Sequence, residues 1–224
     1  MNQFTELENI IRSRHSVRAF RSDPVAKDLI ERILATASYA PSATNTQPWQ
    51  VYVVQGKVRD EIVKRTCASY DEEIANPGQS KYSFDANYYP EKWFSPYQER
   101  RRQLGWEDKA AMIAQQRRNF VFFGAPVGLF FTIHRDLGIG SVIDIAMMMD
   151  NIMLLAKAYG LDSCPQAAWN KYHSFILPLL GASAEEKLLA AICLGYADED
   201  HIVNTLVTPR ERPDQFTRWL GFDK

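Results

Sequence analysis

Apolar positions recur along the chain with two periods, and the period changes mark its elements. In "TELENIIRSR", Leu7, Ile10 and Ile11 fall on one helical face, and Thr5 with Glu8 makes a capping box, which predicts a short helix ending near Arg14. "DPVAKDLIERILATASYA" repeats the design, with Leu29, Ile30, Ile33, Leu34 and Ala37 on one stripe and Pro41 as the stop. "WQVYVVQG" is short, apolar and β-branched, and reads as a buried strand. "KVRDEIVKRTCASYDEEIA" returns to helical spacing, as does "EDKAAMIAQQRRN". Between them, from Asn76 to about Trp106, no period survives; prolines, aromatics and a basic run predict a lid packed over something. "APVGLFFTI" is a second strand, Gly140 to Gly160 a long core helix, "LDSCPQAAW" a short strand and turn, "YHSFILPLLG" a broken helix, and "KLLAAICLGYA" a further strand. From Glu199 onward the chain reads as polar and extended. Helices separate the strands, so the pattern predicts an α+β or mixed α/β layered protein, with residues 1–224 as one domain.

Composition changes this picture little. At 224 residues and 46% hydrophobic, the chain can bury a core without staples. A formal net charge of −1 gives no global field for nucleic acid or an anionic membrane, so any anion must bind at a local cluster. Cys67, Cys164 and Cys193 are scattered, with no CxxC and no His pair at ligand spacing, and read as reduced thiols of a cytoplasmic protein. The N-terminus lacks a basic region followed by an apolar one, so no secretory signal is expected. The Gly140–Gly160 segment has the length of a membrane span, but Asp144, Asp150, Asn151 and Lys157 interrupt it; a core helix is expected.

Four stretches carry candidate chemistry. In "SRHSVRAF", alternate residues of an extended segment would turn Arg14, Ser16 and Arg18 to one side, a donor set for phosphate or carboxylate. Read alone, it is also what a solvated basic turn looks like. "PSATNTQPW" holds five hydrogen-bonding side chains between two prolines, either an ordinary turn or a rigid loop able to read the edge of a flat ring. "SCPQAAW" allows close backbone approach to a ligand, or is simply a tight turn. Arg210 and Arg212 either close the first cluster into an anion site or belong to a basic tail. No GxGxxG, P-loop, HExxH or GxSxG occurs, and no side-chain nucleophile presents itself; the reagent is expected to be an organic cofactor.

Together "RHSVRAF", "APSATNTQPWQVYVV", "GAPVGLFFTI", "MLLAKAYGLDSCPQAAW", "LGYAD" and "NTLVTPRERP" resemble, in order and over nearly the whole chain, the FMN-dependent nitroreductase family. "CPQA" and "PYQERRRQLG" are most similar to its nitrobenzoate-reducing branch. The resemblance implies an α+β fold with a central, mostly antiparallel sheet flanked by helices, in an intertwined homodimer with FMN at each subunit interface. It implies that Arg14, His15, Ser16, Arg212 and Arg210 hold the FMN phosphate and ribityl chain, and that Arg18 lies near N1 and O2. Pro41, Ser42 and Asn45 would line the ring from the partner subunit, and Asp144 would stand near the flavin. Pro165, Gln166 and Ala167 would face the ring, with the Ala167 N–H near N5. NAD(P)H would donate hydride and a small nitroaromatic would accept it by turns in one stacking slot. Tyr88, Tyr89, Trp93, Phe94 and Tyr97 could roof that slot and Arg100 to Arg102 greet a substrate carboxylate, or the same segment could pack on the partner. Many relatives carry lysine where Arg18 stands, and place an amide and a cation ahead of the second strand, for which Arg117 and Asn119 are candidates. A same-fold enzyme acting on halogenated aromatics or enones, through Glu99 and Tyr97, and a non-catalytic flavin-binding redox module remain as alternatives.

Overall fold

The computed structural model describes residues 3–83, 108–206 and 208–222. The aromatics and arginines named above between positions 88 and 102, with Glu99, lie outside the described residues.

Seven helices and four strands order the described chain. Helix α1 (Gln3–Ser13) precedes α2 (Lys27–Ala37), β1 (Gln50–Val54) and α3 (Gly56–Ala75). Then come α4 (Lys109–Arg117), β2 (Val127–His134), α5 (Ile139–Ala158), β3 (Asp162–Gln166), α6 (His173–Leu180), β4 (Glu186–Gly195) and the single turn α7 (Pro213–Phe216). The sheet order is β1-β2-β4-β3 with every pair antiparallel. This is the α+β arrangement expected.

Sequence explains most boundaries. Asp108 caps α4 by accepting from Ala111 N at 3.1 Å. Gly181 takes a left-handed φ of 67° to close α6, which contains Pro178. Thr5 lies two residues inside α1 and is not its cap; the helix starts earlier, at Gln3. The strand "QVYVV" is an edge strand with mixed exposure rather than a buried one, because among the described residues only β2 pairs with it. An apolar, β-branched run looks the same in sequence at either place.

The sheet separates two cores. On one face α2 and α5 pack Ile30, Ile33, Ile145, Met148 and Ile152 against Leu129, Phe131 and Ile192. Helix α5 is long and apolar enough to cross a membrane by length and composition. Its inner face is spent in this core, as the sequence suggested, while Ile139 and Ile143 are exposed. On the other face an aromatic cluster fills the space between α3, α6 and the sheet. The ring of Trp169 stacks on Phe122 at 4.4 Å and meets Phe120 and Phe130 edge-on at 5.5 and 5.4 Å.

One turn in this cluster is strained. Between α4 and β2 the chain coils through Arg118–Gly124, where Phe122 and Phe123 have φ of 53° and 55°. A left-handed backbone costs a bulky residue about 1–2 kcal/mol. The surroundings hold it there. Arg59 donates to Ala125 O and Val121 O at 3.0 and 3.3 Å, and the Phe122 ring lies 2.4 Å from where a Cβ at Gly128 would stand. Gly128 is thus the residue that makes room for the ring.

Candidate functional site

The "SRHSVRAF" segment leaves α1 and runs along β3. Ser16 forms a parallel bridge with Ser163, and Val17 N donates to Ser163 O at 3.1 Å. Val17 and Ala19 are buried while Arg14, Ser16 and Arg18 are half-buried, the alternation expected of an extended segment. From the bridge the two segments run the same way, so Arg18 and Pro165 each stand two residues beyond it. The far end is stitched down as well: Phe20 bridges Ala197, and Phe20 N donates to Phe123 O at 3.2 Å. Asn204 is the main fastener. Its Oδ1 accepts from Arg18 N at 2.8 Å and its Nδ2 donates to Ala19 O and Asp198 O at 2.8 and 2.9 Å.

Beside this segment lies a cavity of about 500 Å³ lined by Arg12, Arg14, His15, Thr208 and Arg210, with Ile11, Ser13, Asn204 and Leu206 completing the wall. It carries three guanidiniums, an imidazole and hydroxyls, and no carboxylate. Among the described residues no carboxylate pairs with Arg14, Arg18 or Arg210. The Arg18 guanidinium donates only to Ser16 O at 3.0 Å, and Arg210 donates to Thr208 and Pro209. Ser163 Oγ, buried at the seam, has no hydrogen-bond partner among the described residues. The cations and hydroxyls that line the hollow, Arg12, Arg14, His15, Thr208 and Arg210, fit a dianionic phosphate. Arg212 differs: it heads α7, is largely exposed, and donates to Asp214 at 3.2 Å, and it does not line the cavity.

The end of β3 presents Pro165 on an exposed edge, followed by a 3-10 turn over Ala167–Tyr172. Pro165 offers no N–H, which an edge strand tolerates. The Gln166 side chain turns inward and is 3% exposed. It donates to Asn119 O at 2.8 Å and accepts from Trp169 Nε1 at 3.2 Å, so only its backbone is left for a ligand on the outer side. Asn119 therefore abuts the site, while Arg117 is spent in a two-point pair with Asp71 at 2.8 and 2.9 Å.

The polar loop stands on a different part of the chain. Thr44, Asn45 and Gln47 have positive φ, and Ser42 Oγ accepts from Gln47 N at 3.0 Å, so the loop is a built turn. Asp144, buried in α5, accepts from Ala43 N at 3.4 Å and so holds the loop. Pro41 lines a second, open hollow of about 510 Å³ with Ile143, Ala146, Met147, Asp150 and Asn151. The two hollows share no residue. Within one chain, then, Arg14, His15, Ser16, Arg18, Arg210 and Pro165–Ala167 come together, and Pro41, Ser42, Asn45 and Asp144 form a second group.

Sequence reasoning missed Arg12, Asn204, Thr208 and Arg118. Arg12 stood one helical position away from the noticed cluster, and Asn204 and Thr208 lay inside a quoted motif without a chemical signal of their own. Arg118 stands 3.1 Å from His201 Nε2; burial pulls its pKa down, opposed by the charge of Asp198. Cys67, Cys164 and Cys193 are buried and form no disulfide among the described residues, and burial raises the thiol pKa of Cys67 and Cys193, so neither of these two is poised as a nucleophile. No cluster able to hold a metal ion occurs among the described residues.

Known proteins resemble this chain in sequence and fold. Residues 11–196 match the Nitroreductase family. The chain is 32% identical to the 4-nitrobenzoate reductase of Pseudomonas putida over 98% of its own length and 97% of the relative's. It is 34% identical to the chloronitrobenzene nitroreductase of Comamonas testosteroni, covering 96% of each. Among solved structures, the FMN- and NADPH-dependent nitroreductase NfnB from Sphigopyxis sp. strain HMH superposes with a TM-score of 0.85 at 33% identity, over 96% of this chain and 99% of that one. The FMN-dependent NfnB of Mycobacterium smegmatis, solved in complex with NADPH, gives 0.85 at 29% identity, over 98% and 100%. Fold, order of motifs and near-complete coverage agree, and the chain belongs to the nitroreductase family.

Proposed function

We propose that this chain is an FMN-dependent oxidoreductase that takes hydride from NAD(P)H and reduces small nitroaromatic compounds, nitrobenzoates among them, to hydroxylamines. The observation that carries the reading is the carboxylate-free cationic hollow of Arg12, Arg14, His15 and Arg210, beside the segment that pairs with β3. When bound, FMN would supply two-electron transfer from nicotinamide to substrate, used twice, with two NAD(P)H consumed, to take the nitro group through nitroso to hydroxylamine. The chain's own residues bind and tune. Arg14, His15 and Arg210 neutralise the phosphate, with Ser16 as a neutral donor and Arg212 at the rim. Arg18, its backbone held by Asn204 and its guanidinium by Ser16 O, would bring positive charge to the pyrimidine end of the ring, where negative charge develops on reduction. Pro165–Ala167 supply a flat backbone platform under the other end. NADPH is the donor named for the similar NfnB enzymes, and it is the first donor to try.

The site is completed by a second copy. Leu7 and Ile11 on α1, Ile139 and Ile143 on α5, and Phe216, Trp219, Leu220 and Phe222 at the C-terminus are all at least half exposed. That much apolar surface on separate elements argues for a homodimer. In it Pro41, Ser42 and Asn45 of one protomer, held by Asp144, cover the flavin of the other.

The test is the visible spectrum of the purified protein under anaerobic conditions. A yellow flavin spectrum that bleaches with NADPH or NADH and recovers with 4-nitrobenzoate establishes the cofactor and both half-reactions. A protein that stays colourless after FMN is added sinks the reading. Recovery with a halogenated aromatic or an enone in place of the nitro compound shifts the substrate to the alternative on the same fold. A spectrum that never bleaches leaves a non-catalytic flavin module.

A further inference from the structure

We propose that Gln166 is a positioning residue that clamps the flavin-facing backbone to the strained turn behind it and does not itself touch the cofactor. The proposal rests on the FMN reading above and concerns how the platform is held.

The amide of Gln166 adds directional bonds between two turns that otherwise meet through ring packing, Trp169 on Phe122 and Phe120. Its Nε2 holds Asn119 O, in the Arg118–Gly124 turn; its Oε1 holds Trp169 Nε1, in the 3-10 turn that follows the platform. The same Trp169 ring stacks on Phe122, one of the two left-handed phenylalanines. The next residue, Phe123, accepts from Phe20 N, two positions beyond Arg18. One continuous path therefore runs from the Ala167 backbone through Gln166, Asn119, Phe122 and Phe123 to Arg18. Its ends flank the places where electrons enter the ring and where charge accumulates.

Two features separate this from ordinary packing. A buried amide is costly unless both its ends are paired, and a Leu or Met of like volume would fill the same space without that requirement. What the amide adds is direction: a bond to a carbonyl on one side and from an indole N–H on the other fixes the rotation of the peptide that follows. Strain is the second feature. Left-handed phenylalanines persist only where the surroundings over-determine them, and such places cluster at functional sites.

The experiment uses full-length holoenzyme carrying Gln166→Glu. A protonated carboxyl there donates to Asn119 O and accepts from Trp169, as the amide does. An ionised one sets an oxygen against the Asn119 carbonyl. Burial raises the pKa of such a carboxyl, so it titrates above the ordinary range. The flavin absorbance and midpoint potential of the variant should match the wild type on the acid side and depart from it as pH rises, while the wild type shows no such step. Gln166→Met, which cannot titrate, should depart at every pH, with FMN still retained. Its kcat should fall on the order of tenfold to a hundredfold with KM for the nicotinamide unchanged, as for a misplaced reacting atom.

Flavin signals that do not titrate in Gln166→Glu, with Gln166→Met losing only thermal stability, overturn the proposal. So does loss of FMN from Gln166→Met as severe as that from Arg14→Ala, which would make Gln166 a direct ligand. If neither variant folds, Trp169→Phe keeps the ring and removes one bond; an unaltered midpoint potential in it is equally fatal. Wild-type protein that binds no FMN instead removes the functional reading itself.

Discussion

Two regions of this molecule are built from the same side chains and end in opposite states. Behind β3, Phe120, Phe122, Phe130, Trp169 and Tyr172 are at most 5% exposed, each ring meeting others edge-on or stacked. At the C-terminus Phe216, Trp219, Leu220 and Phe222 are 66–85% exposed, and the ring partner of Trp219 is Phe222. The first region is finished within one chain. The second is left open among the described residues, and the proposed second copy would complete it. Cations divide the same way: Arg117 and Arg212 have carboxylates of their own, whereas among the described residues Arg14, Arg18 and Arg210 do not. What a chain leaves unpaired, rather than what it contains, marks where it meets ligand and partner.

The comparison breaks most visibly at its two tryptophans. Trp169→Ala should cost about 3–5 kcal/mol of stability, because it opens a void among rigid rings. Thermal unfolding measures it, and the loss should not depend on protein concentration. Trp219→Ala should leave the protomer intact and weaken the dimer by about 1.5–3 kcal/mol. Sedimentation across a dilution series reads this; a dimer as tight as wild type would detach the C-terminal segment from the interface.

A second contrast sharpens the anion site. Arg14→Ala and Arg210→Ala should each weaken FMN binding by about 1.5–3 kcal/mol, as for a lost charged hydrogen bond. Arg212→Ala, already satisfied by Asp214, should change it by less than about 0.5 kcal/mol. Fluorescence titration of apoprotein ranks the three, and an equal loss from Arg212→Ala would put that residue back on the phosphate.

The smallest effect lies at a finished polar site. Glu186 accepts from Thr132 Oγ1, from Ser183 N at 3.0 Å and from Tyr52 Oη at 2.8 Å. Burial works against its charge, yet these bonds hold its pKa below the ordinary 4.5. Its ionised form therefore favours the folded state above about pH 4.5, and that stability is lost as pH falls through the lower folded value. On the other side, burial first and Glu186 second push Tyr52 up to about 12, so the neutral hydroxyl favours folding below pH 10 and the contribution is lost toward pH 12. Glu186→Gln should cost about 0.5–1.5 kcal/mol at neutral pH and flatten the acid limb of a stability–pH curve. An unchanged acid limb would assign that limb to other carboxylates.

Much of the fold was legible because local periods decided it. The stripe Ile30, Ile33, Ala37 is the buried face of α2, and the run at 127–134 is the central strand. The candidate site was legible as a set of stretches and not as a geometry. That Ser16 lies against Ser163 is a pairing across 147 positions, which no local pattern encodes. Arg210 and Arg212 look alike in sequence; only the one-turn helix at Pro213 turns the second toward Asp214. The inward turn of Gln166 depends on Asn119 and Trp169 arriving from either side. Phe122 and Phe123 gave no warning either, since phenylalanine is among the residues least expected at positive φ.

The sheet has two outer strands, and they are not protected alike. β3 carries Pro165, which interrupts the row of donors that a foreign strand would need. β1 reads Gln-Val-Tyr-Val-Val, without proline, lysine or glycine, and Val53 is 42% exposed. During synthesis or refolding, before any neighbour covers it, β1 is the edge on which chains will stack. Dilute refolding, or a lysine at position 53, is therefore where the yield of soluble protein is decided.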